Sequence, residues 1–183
     1  QVYCVVGTDQ NGCPSLNECV TVTVNPPLTV QAQLDQTICM GDDADITSTA
    51  GGGDGGPYTY TWDQGVGTGQ NQTVTPTATT IYTVTATDGC ETPSATSSVT
   101  ITVISTPVIS FSGDDLEGCA PLSVVFTDVN VPAGAQCSWD FGDGSTSSNC
   151  GSVNHTYTTP GCWDVSLNIT TTEGCMASFE QLQ

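Results

Sequence analysis

The stretch "WDFGDGSTSSN", Trp139 to Asn149, sets two carboxylates, Asp140 and Asp143, among glycines, aromatics and hydroxyls. Three chemistries could use that arrangement. A carboxylate pair can act as general acid and base when a partner such as His155, the single histidine of the chain, is positioned beside it. Closely spaced oxygens can hold Ca2+. Aspartates can also accept hydrogen bonds from the backbone of a tight turn. The spacing favours the turn. D-F-G-D-G-S lacks the alternating oxygens and the distant Glu of an EF-hand loop. No Lys or Arg exists to complete a catalytic site, and no G-x-S-x-G nucleophile motif occurs. Gly142 and Gly144 permit positive φ, Asp143 can bond the turn backbone, and Trp139 and Phe141 alternate with Asp140 toward a core. His155 alternates with Tyr157 in "NHTYTT" and is read as a structural hydrogen-bonding residue.

Two other runs concentrate carboxylates: "GDDAD" with Asp42, Asp43 and Asp45, and "GDDLEG" with Asp114, Asp115 and Glu117. Like charges so close repel unless water or a cation intervenes. Ca2+, with its 6–8 oxygen ligands, is the ion such loops would take, and a solvated acidic loop is the blander alternative. No motif requires a cofactor. "AGGGDGG" (Ala50–Gly56) has neither the lysine nor the following helix of a phosphate loop.

Charge bounds the partners. The 183 residues carry 19 acidic groups and no Lys or Arg, a formal charge of −19 at pH 7. Such a chain cannot neutralise phosphates, so nucleic acid is excluded as a partner, and an anionic membrane surface would repel it. Disorder, the usual reading of an acidic chain, fails because 37% of residues are apolar and recur with strand periodicity. No apolar run approaches the roughly 20 residues of a membrane-spanning helix, so no membrane insertion is expected.

These residues must be positioned by strands. "CVTVTVN" (Val20, Val22, Val24), "IYTVTATD" (Tyr82, Val84, Ala86), "SVTITVI" (Val99, Ile101, Val103) and "WDVSLNI" (Trp163, Val165, Leu167, Ile169) alternate apolar with polar residues. A period of two marks half-buried antiparallel strands. Internal repeats organise them. "YTWDQGVG" parallels "CSWDFGDG", and "ICMGDDADIT" parallels "GCAPLSVVFT". "IYTVTATDGC" parallels "CWDVSLNITTTEGC" and "VYCVVGTDQNGC". Proline joints at Pro26, Pro27 and Pro107 separate the copies. Residues 1–26 read as the last strands of a truncated Ig-like domain, 27–104 as an Ig-like β-sandwich, and 105–183 as a second sandwich lacking a final strand. The fold class is all-β: tandem antiparallel β-sandwiches with intradomain disulfides.

Ten cysteines without metal or redox spacing favour structural disulfides in an oxidising compartment. The repeat register pairs Cys39 with Cys90 and Cys119 with Cys175. Cys4 and Cys19 face each other across a hairpin, and Cys137 and Cys150 flank the opening stretch. Cys13 and Cys162 are left for residues outside the sequence, with Cys150–Cys162 a competing pair.

The run "WDFGDGSTSSN…VNHTYTTPGCWDVSLNIT" resembles the PKD (polycystic kidney disease) domain over 105–183. The matching residues are Trp139, Asp140, Phe141, Gly142, Asp143, Gly144, His155, Thr156, Tyr157, Pro160 and Gly161. With "GCAPLSV" before it and "GC" after it, the segment resembles repeats of giant Bacteroidetes surface proteins, including gliding-motility adhesins exported by type IX secretion. The resemblance implies a non-catalytic segment of an adhesin stalk or filament on a bacterial cell surface, its partners neighbouring repeats or other copies of itself. Two alternatives stand beside it: an ancillary module of a secreted hydrolase that binds surface polysaccharide or acts as spacer, and a self-assembling extracellular fibre subunit. Trp62, Trp139 and Trp163 alternate toward cores, which argues against a sugar platform.

Overall fold

A computed structural model describes residues 1–90 and 92–182. Every regular element among them is a strand. Residues 2–21 form a hairpin of β1 (Val2–Val5) and β2 (Glu18–Thr21), in which Cys4 lies opposite Cys19. Residues 29–104 supply two sheets. One has the order β3 (Thr29–Ala32), β5 (Ala44–Gly51), β8 (Asn71–Val74). The other runs β4 (Gln36–Cys39), β10 (Ala95–Ile104), β9 (Thr80–Thr87), β6 (Thr59–Trp62), β7 (Gly67–Thr68).

Residues 110–181 supply two more. A three-stranded sheet has the order β11 (Ser110–Gly113), β12 (Leu122–Val129), β15 (Ser152–Tyr157). A four-stranded sheet runs β14 (Thr146–Ser147), β13 (Gln136–Asp140), β16 (Val165–Thr170), β17 (Met176–Gln181). The sheets therefore change membership near the proline joints. Compactness divides the chain differently: Gln1–Gln33, Ile46–Gln72 and Tyr82–Ser98 form one unit, and Leu34–Asp45, Thr73–Ile81 and Val99–Gln183 the other.

Three details depart from the sequence reading. β2 ends at Thr21, so Val22 and Val24 lie beyond it, and its alternation buries nothing, with Val20 61% exposed, because a two-stranded ribbon has no second sheet to cover its apolar face. The β4/β10 pair is parallel, with Gln36 level with Ile101 and Cys39 level with Ile104. The chain leaves one sheet after Ala32 and joins the other at Gln36, so β4 reaches β10 without a hairpin. Finally, β17 is present at the end of the second sandwich and pairs with β16 along its length, from Val165↔Gln181 to Thr170↔Met176.

Elsewhere the period of two is the period of burial. Tyr82, Val84 and Ala86 on β9, and Val99 and Ile101 on β10, are buried. In the 105–183 sandwich, Val165, Leu167 and Ile169 of β16 join Phe111, Val124, Phe126, Cys137, Trp139, Phe141, Val153 and Tyr157 in one core. Aromatic rings dominate its centre. Phe111 meets Trp139 edge-on at 5.0 Å, and Trp139 stacks on Phe141 at 6.1 Å and 7°.

Candidate functional site

The opening motif lies at the end of β13 and continues toward β14. Trp139, wholly buried, donates from its indole Nε1 to the carbonyl of Asn149 at 2.9 Å. Asp140 accepts from the backbone N–H of Gly142 at 2.9 Å, and Asp143 accepts from that of Ser145 at 2.9 Å. The N–H of Phe141 closes the turn on the Ser145 carbonyl at 3.1 Å. Gly142 has φ 81°, and a Cβ placed there would stand 2.5 Å from the Asp164 carbonyl oxygen. Only glycine fits.

His155 comes in from β15. Its ring stacks on Phe141 at 4.3 Å and 5°, and its Nε2 meets the free Asp143 carboxylate oxygen at 2.8 Å. Tyr157 packs edge-on against that imidazole at 4.5 Å and donates its hydroxyl to the Phe141 carbonyl at 3.1 Å. Partial burial opposes ionisation of Asp143, but the Ser145 N–H and His155 outweigh it and hold the carboxyl below its usual 3.8. Burial, helped by the Asp143 charge, pushes the Tyr157 phenol up to about 12. Tyr157 is thus a donor at any physiological pH.

All eight motif residues, Trp139, Asp140, Phe141, Gly142, Asp143, Gly144, His155 and Tyr157, fall in or against this turn. Both aspartates and the histidine are bonded to the protein itself. The arrangement fastens β13 to β15. A simpler version occurs at "WDQGVG", where the Trp62 indole donates to the Gly69 carbonyl at 3.0 Å and Asp63 accepts from the Thr83 N–H at 2.8 Å. Sequence reasoning placed the tryptophans in cores but missed these indole bonds. The Trp-Asp pair common to both repeats was their signal.

The candidate calcium ligands are not brought together. Asp43 accepts from the Thr75 hydroxyl and Asp45 from the Thr73 hydroxyl, each at 2.6 Å. Asp114 accepts from the N–H groups of Val125 (2.8 Å) and Asp115 (2.9 Å), and chiefly the Val125 bond lowers its pKa. Asp42 and Glu117 are exposed on their loops. Among the described residues no three His, Cys, Asp or Glu side chains gather to hold a metal ion.

Three disulfides form: Cys4–Cys19, Cys137–Cys150 and Cys39–Cys175, the last with a Cα–Cα distance of 5.6 Å. The third replaces the expected Cys39–Cys90 and Cys119–Cys175 bonds, and strand geometry explains why. Cys39 is level with Ile104, the last residue of β10, whereas Cys90 precedes that ten-residue strand. At about 3.3 Å per residue β10 spans roughly 30 Å, far beyond disulfide reach. Likewise Cys119 lines a cavity beside Val165, the first residue of β16, whereas Cys175 follows its last. In each repeat the two equivalent cysteines sit at opposite ends of a strand. Cys13, Cys90, Cys119 and Cys162 remain exposed thiols. A hydrogen bond from Cys90 to Asp54, and the charge of that carboxylate, push the Cys90 thiol up.

That cavity, about 590 Å³, opens at one end of the 105–183 sandwich between Phe111, Leu122, Phe126, Tyr157 and Trp163. Trp163 is half-buried against the core and stacks on Tyr157 at 6.0 Å, rather than being fully enclosed as its alternation implied.

The fold and the turn define a disulfide-bonded β-sandwich module of the extracellular type, with its motif residues committed to architecture. Within that class, residues 105–183 match the PKD domain family. No curated protein sequence matches the chain. Similar solved structures include the PKD1 domain of the Vibrio cholerae metalloprotease PrtV, at 26% identity over 43% of this chain and 94% of that one, TM-score 0.35. A three-domain immunoglobulin fragment of titin is 11% identical over 87% of this chain and 65% of that one, TM-score 0.48. Extracellular domains 3–5 of Drosophila OTK are 15% identical over 93% and 66% respectively, TM-score 0.46.

Proposed function

We propose that this chain is a non-catalytic spacer segment of a large, secreted surface protein, an adhesin stalk or filament on a bacterial cell. The observation that carries the reading is the state of the motif: Asp140, Asp143, His155 and Tyr157 all bond to the turn they belong to, leaving nothing poised for a substrate. Tandem sandwiches and disulfides fit an exposed, load-bearing position. The absence of Lys and Arg denies trypsin-like proteases a cleavage site, an advantage on such a surface. Uniform negative charge keeps neighbouring stalks apart over a screening length of about 8 Å at physiological salt. The bacterial gliding and type IX secretion context belongs to this proposal and rests on the sequence resemblance alone.

The test pits spacer against polysaccharide binder. Beads coated with cell-surface polysaccharides should retain the 183-residue chain no better than bare beads. Retention that disappears in Trp163→Ala, with the variant still folded, would replace the spacer reading with the ancillary binding module.

A further inference from the structure

The four unpaired cysteines are not equivalent. Cys119 and Cys162 alone line the same cavity, at the end of the sandwich where β12 begins and β15 ends. The β12/β15 register puts both at one end of that strand pair. Leu122 lies opposite Tyr157, and the pairing is antiparallel. Cys119 lies three residues before Leu122 and Cys162 five residues after Tyr157, both just past this last pair at the same end of the ladder. A disulfide needs roughly 4.4–6.8 Å between Cα atoms. The residues before β12 and those between β15 and β16 belong to no strand, so no ladder fixes the backbone that carries either cysteine. Other partners are already spent: Cys175 on Cys39, and Cys150 on Cys137.

We propose that Cys119 and Cys162 are a dithiol site that oxidises to a fourth disulfide, bridging the mouth of the cavity. The oxidant is a donor disulfide of the oxidising compartment, small-molecule or protein. The thiolate of one cysteine attacks a donor sulfur and expels one donor thiolate, giving a mixed disulfide. The second cysteine then attacks its neighbour's sulfur, forming the Cys119–Cys162 bond and expelling the other donor thiolate. The two protons end on the two donor thiols. The cysteine pair is oxidised, and the donor is reduced by the same two electrons.

The experiment uses the full chain with its three disulfides intact, incubated with oxidised glutathione and then alkylated with a maleimide. Before oxidation four thiols should label; afterwards Cys119 and Cys162 should neither label nor carry glutathione. In Cys119→Ser, Cys162 should stop at the mixed disulfide and hold one glutathione, as should Cys119 in Cys162→Ser, while with both cysteines present neither should keep one. With no Lys or Arg to cut at, an Asp/Glu-directed protease is required. Cleavage at Asp128, Asp143 and Asp164 should release the peptide bearing Cys119 covalently joined to the one bearing Cys162, a join lost in Cys162→Ser. Four persistent labels would overturn the proposal. So would glutathione held singly on either cysteine, or a link from either one to Cys13 or Cys90.

Discussion

Asp143 binds the Ser145 N–H through one oxygen and the imidazole of His155 through the other, so its protonation should be felt by the whole turn. Its folded pKa lies below the ordinary 3.8. The stabilisation it supplies is therefore present above that ordinary value and is lost as pH falls through the depressed folded one. Asp143→Asn should cost about 1–3 kcal/mol at neutral pH, in line with hydrogen bonds to a charged group. Urea titrations of the two proteins should converge as the pH falls through that depressed folded pKa, where the wild-type carboxyl becomes protonated as well. A constant difference at every pH would mean the carboxylate charge is irrelevant. Gly142→Ala probes the same turn through the backbone. With φ at 81° and the Asp164 carbonyl 2.5 Å from the new Cβ, the variant should lose about 1–3 kcal/mol or more, read as a lower urea midpoint.

Strands differ in what they bury, and so in what mutation costs. β16 is the central strand of its sheet, with β13 on one side and β17 on the other, and Leu167 at its middle is fully buried. Leu167→Ala should destabilise the sandwich by about 2–5 kcal/mol. Val20→Ala on the exposed hairpin should change stability by no more than about 0.5 kcal/mol. Sequence alternation looked the same in both places, which marks what can be read from one chain. Strand existence, the inward face of β9, β10 and β16, and the glycine turn after Phe141 were legible because each depends on local chemistry. The naked face of β2, the parallel β4/β10 pair and the Cys39–Cys175 bond were not. Each is decided by which distant strand comes alongside, and repeats equate positions without fixing which end of a sandwich they occupy. The His155–Asp143 contact lay between these extremes: both residues stood out, but their meeting depended on β15 arriving beside the turn.

At the scale of the molecule, charge and cross-links set the behaviour. With 19 acidic residues, one histidine and no Lys or Arg, almost every charge–charge interaction is repulsive. Screening should therefore help: raising NaCl from about 10 mM to 0.5 M shortens the Debye length from roughly 30 Å to a few Å. The thermal midpoint should rise by several degrees, measured by circular dichroism. A chain held by surface ion pairs would show the opposite trend. The Cys39–Cys175 bond spans 136 residues of sequence. Pulled from its two ends, the protein would carry tension through two sulfur links, Cys4–Cys19 and Cys39–Cys175, and everything from Met40 to Gly174 would ride slack inside the larger closed covalent ring. Held in an optical trap, the chain should give up only its flanking segments. Added reductant would then pay out about 45 nm of hidden polymer from the larger ring, beside a far shorter release from the Cys4–Cys19 loop.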